Sequence, residues 1–145
     1  MALLLTQDDI QPLILDSELF DGAFQAIEQA VLRQHSGQAG QAAFIRTNMA
    51  AEGHLLVTYV TTSGDGTGVR LFPDAGSASG ARDQHVMLLL DAQHGQLLAI
   101  MAGDDLNPLR TAIPAAVGAK HLAKPNAKTL CVLGTGQQGR AHIRT

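Results

Sequence analysis

Leu19, Phe20, Ala23, Phe24, Ile27, Ala30 and Val31 recur at spacings of three and four. That period predicts an amphipathic helix that starts at Asp16 or Ser17, runs to about Gln34 and stops near Gly37. Ahead of it, Leu3 to Leu5 reads as a short strand. Thr6, with Asp9 three residues on, has the form of a capping box opening a short helix that Pro12 limits. Residues 36–41 read as loop. A run of strands is expected next, at Ala43 to Met49, His54 to Val60, Val69 to Phe72, Gln84 to Leu90 and Leu97 to Met101. Glu52-Gly53, Thr61 to Gly66 and Asp91 to Gly95 read as turns. Pro73 closes the third strand, and 74–80 is a Gly, Ala and Ser loop. Successive strands on short connections pair antiparallel, so this part of the chain predicts an α+β arrangement.

A second helix is expected from Asn107, read as its N-cap with Pro108 at the first helical position, to about Ala123, before Pro125. Pro114 lies inside it and should kink or loosen the first turns. Lys124 to Lys128 is a short polar linker. After it, Thr129 to Leu133 is an apolar run that feeds into Gly134, Gly136 and Gly139, spaced G-x-G-x-x-G. This is the form of a strand, a tight turn and a helix start that hold a dinucleotide diphosphate. The first glycine serves the turn, the second lets backbone approach phosphate, and the third lets helix pack on strand. Only six residues follow Gly139, so the ribose-binding acid expected about 20 residues on has no place here. The chain is therefore read as the front part of a longer protein.

Composition narrows the field. Charged residues make up 16% and hydrophobic ones 46%, which suits a globular protein. Net charge is −3 with no basic run, which argues against nucleic acid or anionic membrane as partner. No apolar stretch is long enough to span a bilayer, and MALLLTQDD lacks the basic start of a signal peptide. The lone cysteine, Cys131, is expected to be a small buried hydrophobe in a reducing compartment, and cytoplasmic location is the default.

Three arginines are candidates for chemistry. Arg110 opens a helix whose N-terminus already favours anions, where a guanidinium offers a two-pronged grip on a carboxylate. Arg46 and Arg70 sit in apolar strands, where a charge needs a partner or a ligand. Spacing alone leaves each open between a solvent-facing role and a grip on a small acid. His35, His54, His85, His94, His121 and His142 show no metal-ligand spacing, so no metal site is expected. Lys120 and His121 suit the negative end of their helix. No nucleophile motif of a hydrolase is present.

Leu97 to Gly103, Leu109 to Ala112, Ala119 to Ala123 and Leu130 to Gly139 together resemble the ornithine cyclodeaminase/mu-crystallin family. Gln84 to Asp91 with Gly95 also fits, and the similarity weakens before about residue 40. The resemblance implies an α/β protein in two parts. Residues 1–126 would be an α+β substrate-binding and dimerisation domain with a largely antiparallel sheet, and 127–145 the truncated start of an NAD(P)-binding Rossmann domain. It implies that Arg46 and Arg110 bind the substrate α-carboxylate, with a contact from Arg70. It assigns cofactor contacts to Gln84, Thr111, Gly134, Thr135, Gly136, Gln137, Gln138 and Gly139.

The first activity implied is NAD-dependent ornithine cyclodeamination, L-ornithine to L-proline plus ammonia through internal hydride transfer. That would make the protein a lyase of proline biosynthesis, a homodimer when full length. A cyclic ketimine or pyrroline-2-carboxylate reductase, or an amino-acid dehydrogenase, is the alternative with the same hydride chemistry and NAD or NADP. A non-catalytic binding protein of the mu-crystallin kind is the third. Several positions depart from the family pattern. Arg70 stands where lysine is usual and cannot exchange a proton. Asn107-Pro108 replaces a threonine cap, Ala102 a frequent aspartate, and Pro114 enters a helix usually free of proline. The cyclodeaminase's catalytic aspartate would lie downstream. The 145 residues alone are expected to be inactive and marginally stable.

Overall fold

The structure, a computed structural model, describes residues 1–49, 55–64, 66–74 and 84–145. It contains strand β1 (Leu3–Leu5), helices α1 (Gln7–Leu13) and α2 (Ser17–His35), and strands β2 (Gly40–Gln41), β3 (Ile45–Asn48), β4 (Leu55–Ser63), β5 (Gly66–Asp74), β6 (Val86–Asp91) and β7 (Leu97–Ala102). Helices α3 (Leu106–Leu122) and α4 (Gln137–Arg144) complete it. The strands form one seven-stranded sheet in the order β1-β7-β6-β5-β4-β2, with β3 also pairing β4. Every pairing is antiparallel except β1 with β7. The mixed α/β class with a largely antiparallel sheet is thus as the sequence predicts.

Local signals fixed the first helices. Thr6 and Asp9 complete the capping box, and the Asp16 carboxylate accepts from the amides of Glu18 and Leu19 at the start of α2. Gly37, at φ 76°, takes the left-handed backbone just past the C-cap Ser36. The Asp91 carboxylate gathers the amides of Gln93, His94 and Gln96, holding the β6–β7 turn in which Gly95 has φ 67°.

Several expectations are corrected. Residues 36–41 are not all loop, because Gly40 and Gln41 pair with Thr62 and Thr61. Thr61 to Gly66 is not all turn either. The β4–β5 ladder runs to Ser63 opposite Gly66, since β-branched threonines favour the pleat. Pro73 does not end β5: it pairs with Leu56, beyond the last β6 partner at Leu71, where no described residue needs its missing N–H. Asn107 is not the N-cap of α3. Asp105 holds that position, the helix starts at Leu106, and it runs on through Pro114. Residues 129–133 do not form a strand, because a strand needs a ladder and no other described segment pairs with them. For the same reason Cys131 is exposed rather than buried, along with Leu130 and Leu133. The Glu52-Gly53 link and nearly all of the 74–80 loop lie outside the described residues.

Strand register sorts the sheet's two faces. Arg46, Val57 and Phe72 share one cross-strand row; Tyr59, Arg70, Met87 and Met101 share the next on the same face. Helices cover this face. Val57 and Ala99 are buried on it, and Ala112, Ile113 and Val117 of α3 and Ile10 of α1 complete the buried core. Glu28 of α2 ties the two long helices by accepting from Lys120 Nζ at 2.9 Å and meeting His121 Nε2 at 2.6 Å. The opposite face carries Leu4, Ile45 and Val86, all exposed. Among the described residues, no helix is long and apolar enough to cross a membrane.

Candidate functional site

The site grows from the helix-covered face of the sheet. Phe44, Tyr59, Phe72 and His85 form a row of rings, with successive centroids 5.3, 6.1 and 4.9 Å apart. Two guanidinium groups lie on this row. Arg46 sits 4.1 Å over Phe44, and Arg70 sits 4.7 Å from the Tyr59 centroid and 4.4 Å from that of Phe72. Aromatic faces attract cations, so the rings hold the charges in place without neutralising them.

The first turn of α3 brings a third guanidinium in. Asn107 Oδ1 accepts from Arg70 Nη1 at 2.8 Å, from Arg110 Nε at 3.0 Å and from Arg110 Nη2 at 2.7 Å. Arg70 and Arg110, 40 positions apart in sequence, therefore meet at one oxygen. Arg46 shares their face of the sheet but not this oxygen; β4 lies between its strand and that of Arg70. Partial burial of the Arg110 guanidinium pulls its pKa below the ordinary arginine value, against an opposing effect of the Tyr59 hydroxyl. No acidic side chain among the described residues pairs with Arg70 or Arg110.

The cofactor candidates fall into three places. Thr111 Oγ1 donates to the Asn107 carbonyl at 2.9 Å, which fixes the turn beneath the arginines. Gln84 is exposed just ahead of β6. The glycine turn has the shape its spacing predicts. Gly134 has φ 103°, Gly136 caps α4, and a Cβ at Gly139 would collide with the carbonyl of Gly134. A Cβ at Gly136 would meet nothing within 4 Å, so that glycine borders open space. Thr135 contributes its carbonyl to Arg140 Nε at 3.1 Å, and Gln138 its carbonyl to His142 Nδ1 at 2.7 Å.

A cavity of about 740 Å³ lies between the start of α3, at Asn107, and α4. Gln7, His85, Asp104 and Asn107 border it on the sheet side, and Gln137 and Arg140 of α4 on the other. Among the described residues, Gln7 Oε1, His85 Nδ1 and Arg70 Nε are buried without a hydrogen-bond partner. Orphaned polar atoms around a cavity of this size fit a polar ligand. His85 and Asn107 gave no functional signal in the sequence. A single histidine before a strand has no spacing to betray it, and an asparagine before proline reads first as a cap. Among the described residues, no group of three or more His, Cys, Asp or Glu could hold a metal.

An arginine-lined α+β sheet leading into a dinucleotide-type glycine turn defines the class, and comparison with known proteins supplies the family. The chain belongs to the ornithine cyclodeaminase/mu-crystallin family, whose model matches residues 4–145. It is 46% identical over 55 residues to a Delta(1)-pyrroline-2-carboxylate reductase of Bacillus cereus, covering 38% of this chain and 17% of that protein. It is 41% identical over 59 residues to the ketimine reductase mu-crystallin of Rattus norvegicus, covering 41% and 19%. Among solved structures, the iminosuccinate reductase of Paracoccus denitrificans in complex with NAD+ superposes with a TM-score of 0.86 at 24% identity, covering 99% of this chain and 45% of that one. The chain thus spans under half the length of that solved relative, and its matched segments are under a fifth of the two curated ones.

Proposed function

We propose that the protein carrying this chain exchanges hydride at the α-carbon–nitrogen bond of a small amino or imino acid. In this reading residues 1–126 bind the acid and form the dimer, and 127–145 begin the dinucleotide domain. The observation that carries the reading is the meeting of Arg70 and Arg110 at the Asn107 oxygen, with Asn107 bordering a cavity that residues of the glycine-turn helix also border. Two guanidiniums with no acidic partner among the described residues suit a carboxylate. Arg46, stacked on the same aromatic row, adds positive charge to that face.

NAD or NADP, when bound, would supply or accept the hydride. The amides from Gly134 to Gly139 would hold its diphosphate, with Thr135, Gln137 and Gln138 in the same turn, and Gln84 and Thr111 approaching from the sheet side. This chain's own part is orientation. Fixing the carboxylate fixes where the α-carbon sits, and such positioning lowers the barrier without any group on the protein reacting. Arg70 is always charged, so it binds but moves no proton.

Reduction of a cyclic imine such as pyrroline-2-carboxylate is the first reading, favoured by the similarity to two reductases. Ornithine cyclodeamination is the second, favoured by 39% identity over 57 residues to the ornithine cyclodeaminase of Agrobacterium tumefaciens. Assay of the intact protein separates them. Steady NADH or NADPH oxidation with pyrroline-2-carboxylate supports the first. Ammonia release from ornithine without net NADH change supports the second. Tight ligand binding with no turnover in either assay would instead indicate a binding protein. The exposed apolar face around Leu4, Ile45 and Val86 supports a homodimer, since such a face on a sheet calls for cover.

A further inference from the structure

We infer that Asn107 is the positioning residue of the arginine pair, and that its amide oxygen stands where one oxygen of the bound carboxylate comes to sit. The inference rests on the carboxylate reading above. An amide oxygen has two lone pairs, yet Asn107 Oδ1 receives three N–H donors from two like-charged groups. The Nε–Nη2 edge of Arg110 is the edge that grips both oxygens of a carboxylate in a two-pronged pair. Here that edge converges on a single neutral atom. Arg70 Nε, on the same guanidinium as the bonded Nη1, is buried and has no hydrogen-bond partner among the described residues. The pair therefore offers more donors, and more positive charge, than one amide can satisfy. A carboxylate presents about four acceptor sites and a full negative charge, and fits the deficit.

Asn107 is itself held from both sides of its peptide. Its N–H donates to the Gly103 carbonyl at 2.8 Å, and its own carbonyl accepts from Thr111 Oγ1 at 2.9 Å. The side chain thus hangs from a fixed point, gathers two guanidiniums that would otherwise repel, and keeps them neutral-partnered until an acid arrives. It borders the cavity, so the acid can reach it.

The test is Asn107→Asp in the intact protein, with NADH present and L-proline as the carboxylate probe. The aspartate supplies a permanent internal carboxylate. The variant should fold, melt no lower than the parent and keep its NADH affinity, yet lose L-proline affinity by roughly tenfold or more. Asn107→Ala removes the shared oxygen without adding charge and should weaken L-proline less than the aspartate does. An asparagine that only shapes the helix start would leave L-proline binding alike in parent and aspartate variant. That result, or an unfolded aspartate variant, overturns the inference while the carboxylate reading stands. Failure of the parent itself to bind L-proline would overturn both.

Discussion

Replacing Arg110 with alanine removes the Nε and Nη2 bonds to Asn107, at 3.0 and 2.7 Å, and leaves the Arg70 Nη1 bond at 2.8 Å. Fold stability should change little. Arg110 is exposed apart from its partly buried guanidinium, near the end of the first turn of α3, and surface substitutions of that kind usually shift stability by about 0.5 kcal/mol or less. Substrate handling should change much more. One charge-assisted contact to a carboxylate is worth about 1.5–3 kcal/mol, which corresponds to about 10- to 150-fold in kcat/KM. Arg110→Lys should fall between parent and alanine, because it keeps the charge and loses the two-pronged edge. The assay is NADH oxidation over a range of pyrroline-2-carboxylate concentrations, with a melting curve of each variant as the control. If kcat/KM of the alanine variant stays within about threefold of the parent while its melting point is unchanged, Arg110 does not hold the carboxylate.

Further outcomes are expected elsewhere in the molecule. Gly136→Ala should fold normally, since its Cβ meets nothing, but should weaken NADH binding by tenfold or more (~1.4 kcal/mol) if phosphate lies there; fluorescence titration reads this. Gly139→Ala should lose NADH binding together with α4 packing, because its Cβ would overlap Gly134; loss of binding with α4 intact by amide exchange would contradict this. Hydrogen bonds from Lys120, then His121, hold the Glu28 carboxyl below its ordinary pKa of 4.5. A lowered pKa adds stability that is present above 4.5 and is lost as pH falls through the folded value. Glu28→Gln should therefore lower the melting point at neutral pH, and the gap should close in acid; a gap independent of pH would refute the linkage. Val86→Glu, on the bare sheet face, should leave the fold intact and shift the protein toward monomer in sedimentation; an unchanged mass would remove that face from the interface.

The ends of α1 and α2 and the Asp91 to Gly95 turn were legible because their signals are local. The Thr6–Asp9 box, Asp16 and Gly37 act within four residues of themselves, and the structure uses each as read. Strand limits were less legible, because a ladder partner can extend a strand through threonines or past a proline, as at Thr61 to Ser63 and at Pro73. The run 129–133 shows the converse: its apolar residues spell a strand, but pairing requires a neighbour. For the site, residue type pointed to the arginines, and only the tertiary fold could bring two of them to one atom. Asn107 was invisible because its cap-like position masked a side chain pointed at groups far off in sequence. The aromatic row had no sequence signature, since register alone brings Tyr59 beside Phe72.

A crystal structure of the intact protein with NADH and L-proline would show directly whether the arginine pair holds the acid beside the dinucleotide. In it the proline carboxylate should lie within hydrogen-bond distance of both the Arg70 and Arg110 guanidiniums, with the diphosphate against the amides that follow Gly134. A carboxylate bound away from both arginines, or a diphosphate seated off the glycine turn, would contradict it.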